Sequence, residues 1–152
     1  MTRFLLDVSV LVAMHVPGNQ NYADVQRWFA ATGSVAFATC AITEAGFIRV
    51  SSQLSVKNGP IDFREVRIAI ANLASLPGHA YWPMDIPYLQ ATEPFEQRMH
   101  GHRQVTDAFL LGIAVHRGGK LATLDKAIKH LAGPKFAASV EVIPSGPILR
   151  NP

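Results

Sequence analysis

The sequence contains one cysteine, Cys40, among 152 residues. An internal disulfide is therefore excluded, and the chain suits a reducing compartment. Cys40 itself reads as a small buried apolar residue rather than a reactive thiol. Charged residues are scarce at 16% against 49% hydrophobic, a balance that excludes a disordered chain and predicts a globular one. No apolar run approaches the roughly 20 residues that a membrane helix needs. The stretch 8–14 is apolar but short, with Asp7 at its front edge, and it lacks the pattern of a signal peptide. A cytoplasmic protein is expected. Repeats, low-complexity tracts and long linkers are also missing, so a single domain over residues 1–152 is expected.

What the chain does have is acid in apolar places. Asp7 ends the run Phe4-Leu5-Leu6. Glu44 lies in Ala41-Ile42-Thr43-Glu44-Ala45-Gly46-Phe47-Ile48. Asp107 opens Asp107-Ala108-Phe109-Leu110-Leu111, and Asp125 closes Leu121-Ala122-Thr123-Leu124-Asp125. A buried carboxylate is costly unless it is paired or binds a cation. No Lys or Arg adjoins Asp7 or Asp107 in sequence.

The periodicity predicts strands at 3–6, 35–38, 79–82, 120–124 and 140–143. It predicts helices at 8–15, 22–31, 42–51, 63–76, 106–117 and 126–131, with Asp62 as the N-cap of the fourth and Gly33 as the C-cap of the second. A further helix over 88–99 is interrupted by Pro94. Asn58-Gly59-Pro60 is a break. Strands alternating with helices predict a three-layer α/β/α sandwich around a mostly parallel sheet. In that architecture each of the four acids falls at a strand-to-helix junction, on the sheet edge where open α/β sheets bind ligands.

Taken singly, the acids have structural explanations. Asp7 and Asp125 suit N-caps, Asp107 suits a positive helix N-terminus, and Glu44 suits a solvated helix face. Together they suggest a shared site, because caps do not explain Glu44 among apolar neighbours. Hard oxygen donors select Mg²⁺ or Mn²⁺ over zinc. His100 and His102 form a short H-x-H in a loop without further soft ligands, a poor zinc site. Acid clusters with such cations carry out phosphoryl-group chemistry, with one or two metals. Glu44 is a candidate to orient the attacking water. The basic balance of the chain, +3 with a pI near 9.3, agrees with a polyanionic partner such as nucleic acid.

These residues resemble the PIN-domain ribonucleases, and most of all the VapC-type toxins of type II toxin–antitoxin modules. The resemblance covers nearly the whole chain. It is carried by Phe4-Leu5-Leu6-Asp7-Val8-Ser9-Val10-Leu11, by Thr43-Glu44, by His102-Arg103-Gln104-Val105-Thr106-Asp107-Ala108-Phe109-Leu110-Leu111, and by Gly118-Gly119-Lys120-Leu121-Ala122-Thr123-Leu124-Asp125. It implies Mg²⁺- or Mn²⁺-dependent cleavage of RNA, with Asp7, Glu44, Asp107 and Asp125 as the acidic pocket and Asp7 and Asp107 as direct ligands. It implies supporting hydroxyls at Ser9 and Thr123, with Thr43 beside Glu44. It also implies a homodimer and an antitoxin partner. Ile128 departs from the pattern, standing where many relatives carry a further acid.

Arg103 is a candidate for substrate phosphate or a solvated loop residue. Trp28, Phe29, Tyr81 and Trp82 fit core packing better than base stacking. Two other readings remain open. One is a different metal-dependent phosphohydrolase, such as a phosphatase with Asp7 as nucleophile, although Asp7-Val8-Ser9 lacks the D-x-D pattern. The other is a non-catalytic nucleic-acid or protein-binding module, which would gain nothing from concentrated negative charge.

Overall fold

Successive residues of the first strand go to opposite cores. In the computed structural model, which describes residues 1–56, 59–60 and 62–146, strand β1 (Phe4–Leu6) sends Phe4 and Leu6 into one buried cluster and Leu5 into another. That alternation follows from the two-residue period of a strand. A run apolar on both faces has to lie in the middle of a sandwich.

The first core is filled from the helices α1 (Val8–His15), α2 (Tyr22–Ala31), α3 (Ala41–Gln53) and α4 (Phe63–Ala74). The second is filled mainly from α6 (Gln104–His116) and α7 (Ala127–Phe136), with Trp82 and Phe95. Between them lies a five-stranded sheet of β1, β2 (Phe37–Thr39), β5 (His79–Tyr81), β6 (Lys120–Thr123) and β7 (Val140–Val142). Its order is β5-β2-β1-β6-β7, and every pairing is parallel. This is the α/β/α architecture expected from the alternating pattern. Among the described residues no helix is long and apolar enough to cross a membrane.

The element boundaries differ from expectation where a local cause outweighs periodicity. Val35 ends a 3₁₀ turn (Gly33–Val35), and the strand begins only at Phe37. Gly33 is not a left-handed C-cap. Thr32 caps α2 through its N–H to the Trp28 carbonyl, and a Cβ at Gly33 would sit 2.6 Å from the Trp28 ring. Pro94 splits the expected 88–99 helix into α5 (Tyr88–Thr92) and a 3₁₀ stretch (Glu93–Arg98), because proline removes a donor and crowds the preceding turn. Two-residue strands β3 (Ser55–Val56), before the expected break, and β4 (Gly59–Pro60), inside it, pair antiparallel; Asn58 lies outside the described residues. Helix α7 runs on past Leu131 across a kink at Gly133.

Two helix ends are built as the sequence suggests. Asp62 caps α4 by accepting from Arg64 N. Helix α6 ends on Gly118 at φ +67°, with Gly118 N bonding Val115 O and Gly119 N bonding Ala114 O. That pair of bonds is the Schellman closure, which needs a left-handed residue and therefore favours glycine. The turn feeds β6 directly into the sheet beside β1.

Candidate functional site

Strand order reverses between β1 and β6: from β1 the chain continues outward to β2 and β5, whereas β6 leads to β7 on the other side. A crevice opens beyond the carboxyl ends of strands at such a switch point. Leu6 pairs with Ala122, so the next residues, Asp7 and Thr123, emerge side by side at that crevice.

Asp7 does serve as the cap of α1, its Oδ1 accepting from Val8 N at 2.8 Å. Its second oxygen is engaged differently. Oδ2 accepts from the Thr123 hydroxyl at 2.8 Å and from the Ser9 hydroxyl at 3.3 Å. Thr123 is fully buried, and its oxygen also accepts from Asp125 N at 3.1 Å. Asp125 Oδ1 in turn accepts from Ala127 N at 2.9 Å, turning the chain into α7. One threonine hydroxyl thus ties the ends of two adjacent strands together and fixes both acids.

Asp107 approaches from the first turn of α6. Burial, reinforced by the negative charges of Asp7 and Asp125, pushes its carboxyl up to about 6. Burial also raises Asp7, against the lowering effect of its bonds from Thr123, Val8 and Ser9, and the charge of Asp125 adds to the rise. Asp7, Asp107 and Asp125 are therefore electrostatically one group and repel one another. Among the described residues no ion pair offsets their charge.

Arg103, Gln104, Asp107, Asp125, Ala127, Ile128 and Leu131 line a hollow of about 170 Å³ at this crevice. Arg103 is exposed, at the rim. Ile128 is buried and gives the hollow an apolar wall, at the position where the sequence departs from the family pattern. Thr43 does not face the acids: its hydroxyl accepts from Cys40 N at 3.0 Å and donates to Cys40 O at 3.1 Å, closing the start of α3. Cys40 is fully buried, as its apolar reading suggests.

Glu44 is held by residues that the sequence did not single out. Its Oε1 accepts from the Thr39 hydroxyl at 2.7 Å, and Thr39 Oγ1 lies 2.8 Å from His79 Nε2. The spacing of Thr39 and Glu44 across the β2–α3 junction was available as a signal. The approach of His79, forty residues away, was not.

Among the described residues no three His, Cys, Asp or Glu side chains form a closed cage for a metal ion. The donors nonetheless fit a hard divalent cation in kind, being all carboxylate oxygen and carrying unrelieved charge at Asp7 and Asp107. Mg²⁺ keeps several of its waters and is commonly bound by one or two carboxylates plus substrate phosphate. An open group of this kind suits that habit better than a structural cage.

A family model described as the PIN domain matches residues 4–134. The chain is 42% identical over 142 residues to Ribonuclease VapC39 of Mycobacterium tuberculosis, covering 91% of this chain and 98% of that protein. Among solved structures it resembles VapC20 of Mycobacterium tuberculosis, a Sarcin-Ricin loop cleaving toxin, with a TM-score of 0.60 at 18% identity, over 93% of this chain and 99% of that one. It also resembles VapBC2 of Rickettsia felis, solved bound to a DNA fragment from their promoter, with a TM-score of 0.55 at 15% identity, over 84% and 92% of the respective chains.

Proposed function

Since the chain belongs to the PIN-domain family, and within it to the VapC ribonucleases, we propose that its acidic crevice cleaves RNA with Mg²⁺ or Mn²⁺ held by Asp7 and Asp107. The protein is a VapC-family ribonuclease, the toxin of a toxin–antitoxin system. The observation that supports this site assignment is the convergence of Asp7 and Asp125, tied through the Thr123 hydroxyl, with Asp107 at the switch point of the sheet.

When bound, the cation supplies Lewis acidity and neutralises charge at the scissile phosphate. The chain's own residues do the rest. Thr123 and Ser9 hold Asp7 in one rotamer, so its remaining lone pair has a fixed direction. Asp125, anchored by Ala127 N, completes the negative wall. Arg103 at the rim holds a phosphate of the incoming strand. Glu44 orients the water that attacks.

The same reading carries a cognate antitoxin that covers the crevice, a homodimer, and a cytoplasmic site of action. It also assigns residues 1–152 to one nuclease domain. The antitoxin proposal is supported by the likeness to VapBC2. Co-purification with the product of a neighbouring small gene, and light scattering of the free protein, test the two assemblies.

The activity test uses the purified full chain with RNA and Mn²⁺. Wild type is expected to cleave, and chelation or Asp107→Asn to reduce cleavage to background without lowering the melting temperature. Cleavage that survives both treatments sinks the metal-site assignment.

A further inference from the structure

Thr39 ends β2 and is 1% exposed, yet its hydroxyl is not taken up by the backbone. It sits between two side chains, Glu44 Oε1 at 2.7 Å and His79 Nε2 at 2.8 Å. Thr39 and Glu44 are linked across the β2–α3 junction. His79 comes from the edge strand β5, where it pairs with Phe37. Residues 37 and 39 share one face of β2, so the register puts the imidazole on the side of Thr39. The Phe37 ring packs against it with centroids 5.4 Å apart.

The direction of the chain of bonds follows from proton count. An ionised carboxylate can only accept, so the single Thr39 proton goes to Glu44. Thr39 is then an acceptor toward His79, and Nε2 carries the hydrogen. We propose that His79 is a positioning residue for Glu44, acting through the Thr39 hydroxyl as His79 Nε2–H to Thr39 Oγ1–H to Glu44 Oε1.

Burial of His79, helped by the nearby Arg3 charge and opposed by that of Glu44, keeps the imidazole below its ordinary range. Arg3 is itself fixed at this edge by bonds to the carbonyls of Phe37 and Gly78 at 3.0 and 2.7 Å. A neutral ring held against β2 is a rigid donor. The relay grips Oε1 of Glu44 and leaves Oε2 without a protein partner among the described residues. Partners that orient a ligating or water-orienting carboxylate typically contribute about 10–100-fold to metal affinity or activity. The proposal rests on the reading of Glu44 as a site residue.

The test uses the full chain with Mn²⁺ alone in calorimetry, and with RNA in steady-state cleavage. Thr39→Val and His79→Met are each expected to lower Mn²⁺ affinity or kcat by about 10-fold or more, with KM for RNA little changed. Thr39→Ser and His79→Gln, which restore a hydroxyl and an N–H donor, are expected to recover most of the loss. In a Glu44→Gln background, His79→Met is expected to add nothing. If Glu44→Gln alone lowers affinity or cleavage while His79→Met leaves both unchanged, the relay is overturned and the site reading stands. If Glu44→Gln is silent in both readouts, the site reading of Glu44 fails and the proposal falls with it. Losses in His79→Met that are confined to melting temperature, with cleavage per folded molecule intact, also overturn it.

Discussion

Asp107 carries a charge that the fold disfavours. Its carboxyl titrates near 6 in the folded protein against 3.8 as an ordinary group, first through burial and then through Asp7 and Asp125. Between those values the folded state binds more protons than the unfolded state. Stability of the cation-free protein therefore falls as pH rises through that window, and stays low above it. Asp107→Asn removes the penalty. Because the side chain is only half-buried, the gain is discounted to about 1 kcal/mol, or roughly 2–4 °C in melting temperature at pH 7.5 in EDTA. The gain should vanish near pH 4, and Mn²⁺ should stabilise wild type but not the variant. Scanning calorimetry at the two pH values checks both signs; an equal gain at pH 4 would place the effect in packing. Asp7 and Asp107 were legible in the sequence because an acid inside an apolar run is conspicuous. Thr39 was signalled only by its spacing from Glu44, and His79 not at all, since only the β2–β5 pairing brings it to Thr39.

Elements were legible where a face is buried and illegible where backbone geometry decides. The apolar stripe of α6 was plain because Leu110, Leu111, Ile113 and Ala114 are all buried. The two-residue strands β3 and β4 carry too little pattern to be read, and α7 ran on past its expected end because its continuation depends on one glycine. Gly133 has φ +69° and ψ 178°, a conformation open almost solely to glycine. A Cβ there would lie 2.5 Å from Arg98 Nε, so Arg98 and the kink fit each other. Gly133→Ala is expected to destabilise by about 1–3 kcal/mol from backbone strain alone. Gly101→Ala is the control, because its backbone is not left-handed and nothing lies within 4 Å of the added carbon. Adding Arg98→Ala should relieve the contact but not the strain, so only part of the loss returns. Urea denaturation of the three variants measures this, and full recovery in the double variant would show that crowding, not φ, is the cause.

At the scale of the molecule, the order β5-β2-β1-β6-β7 decides where the acids gather. Asp7, Asp107 and Asp125 collect at the switch point between β1 and β6, and Arg103 is exposed at the rim of the same hollow as Asp107 and Asp125. The chain has 14 Lys and Arg against 11 Asp and Glu. Setting aside the four acids assigned to the crevice leaves 7, so the remaining surface is strongly basic. RNA binding should then be driven by counterion release, with the logarithm of affinity falling linearly in log salt. Each phosphate contact on a single strand contributes about 0.7 to that slope. Arg103→Ala, measured in an Asp107→Asn background in EDTA to prevent cleavage, is expected to flatten the slope by about that amount. It should weaken binding evenly across RNA sequences, since a phosphate contact carries no base information. Arg64→Ala is the matched control. Arg64 lines a separate hollow with Asp62 and Arg67 on α4, in the opposite helical layer, and loses the same charge. If both variants flatten the slope equally, RNA senses only net charge and Arg103 has no special place in its path. If only Arg103→Ala does, the strand enters over the α6–α7 rim, and the acids beneath are where its phosphate arrives.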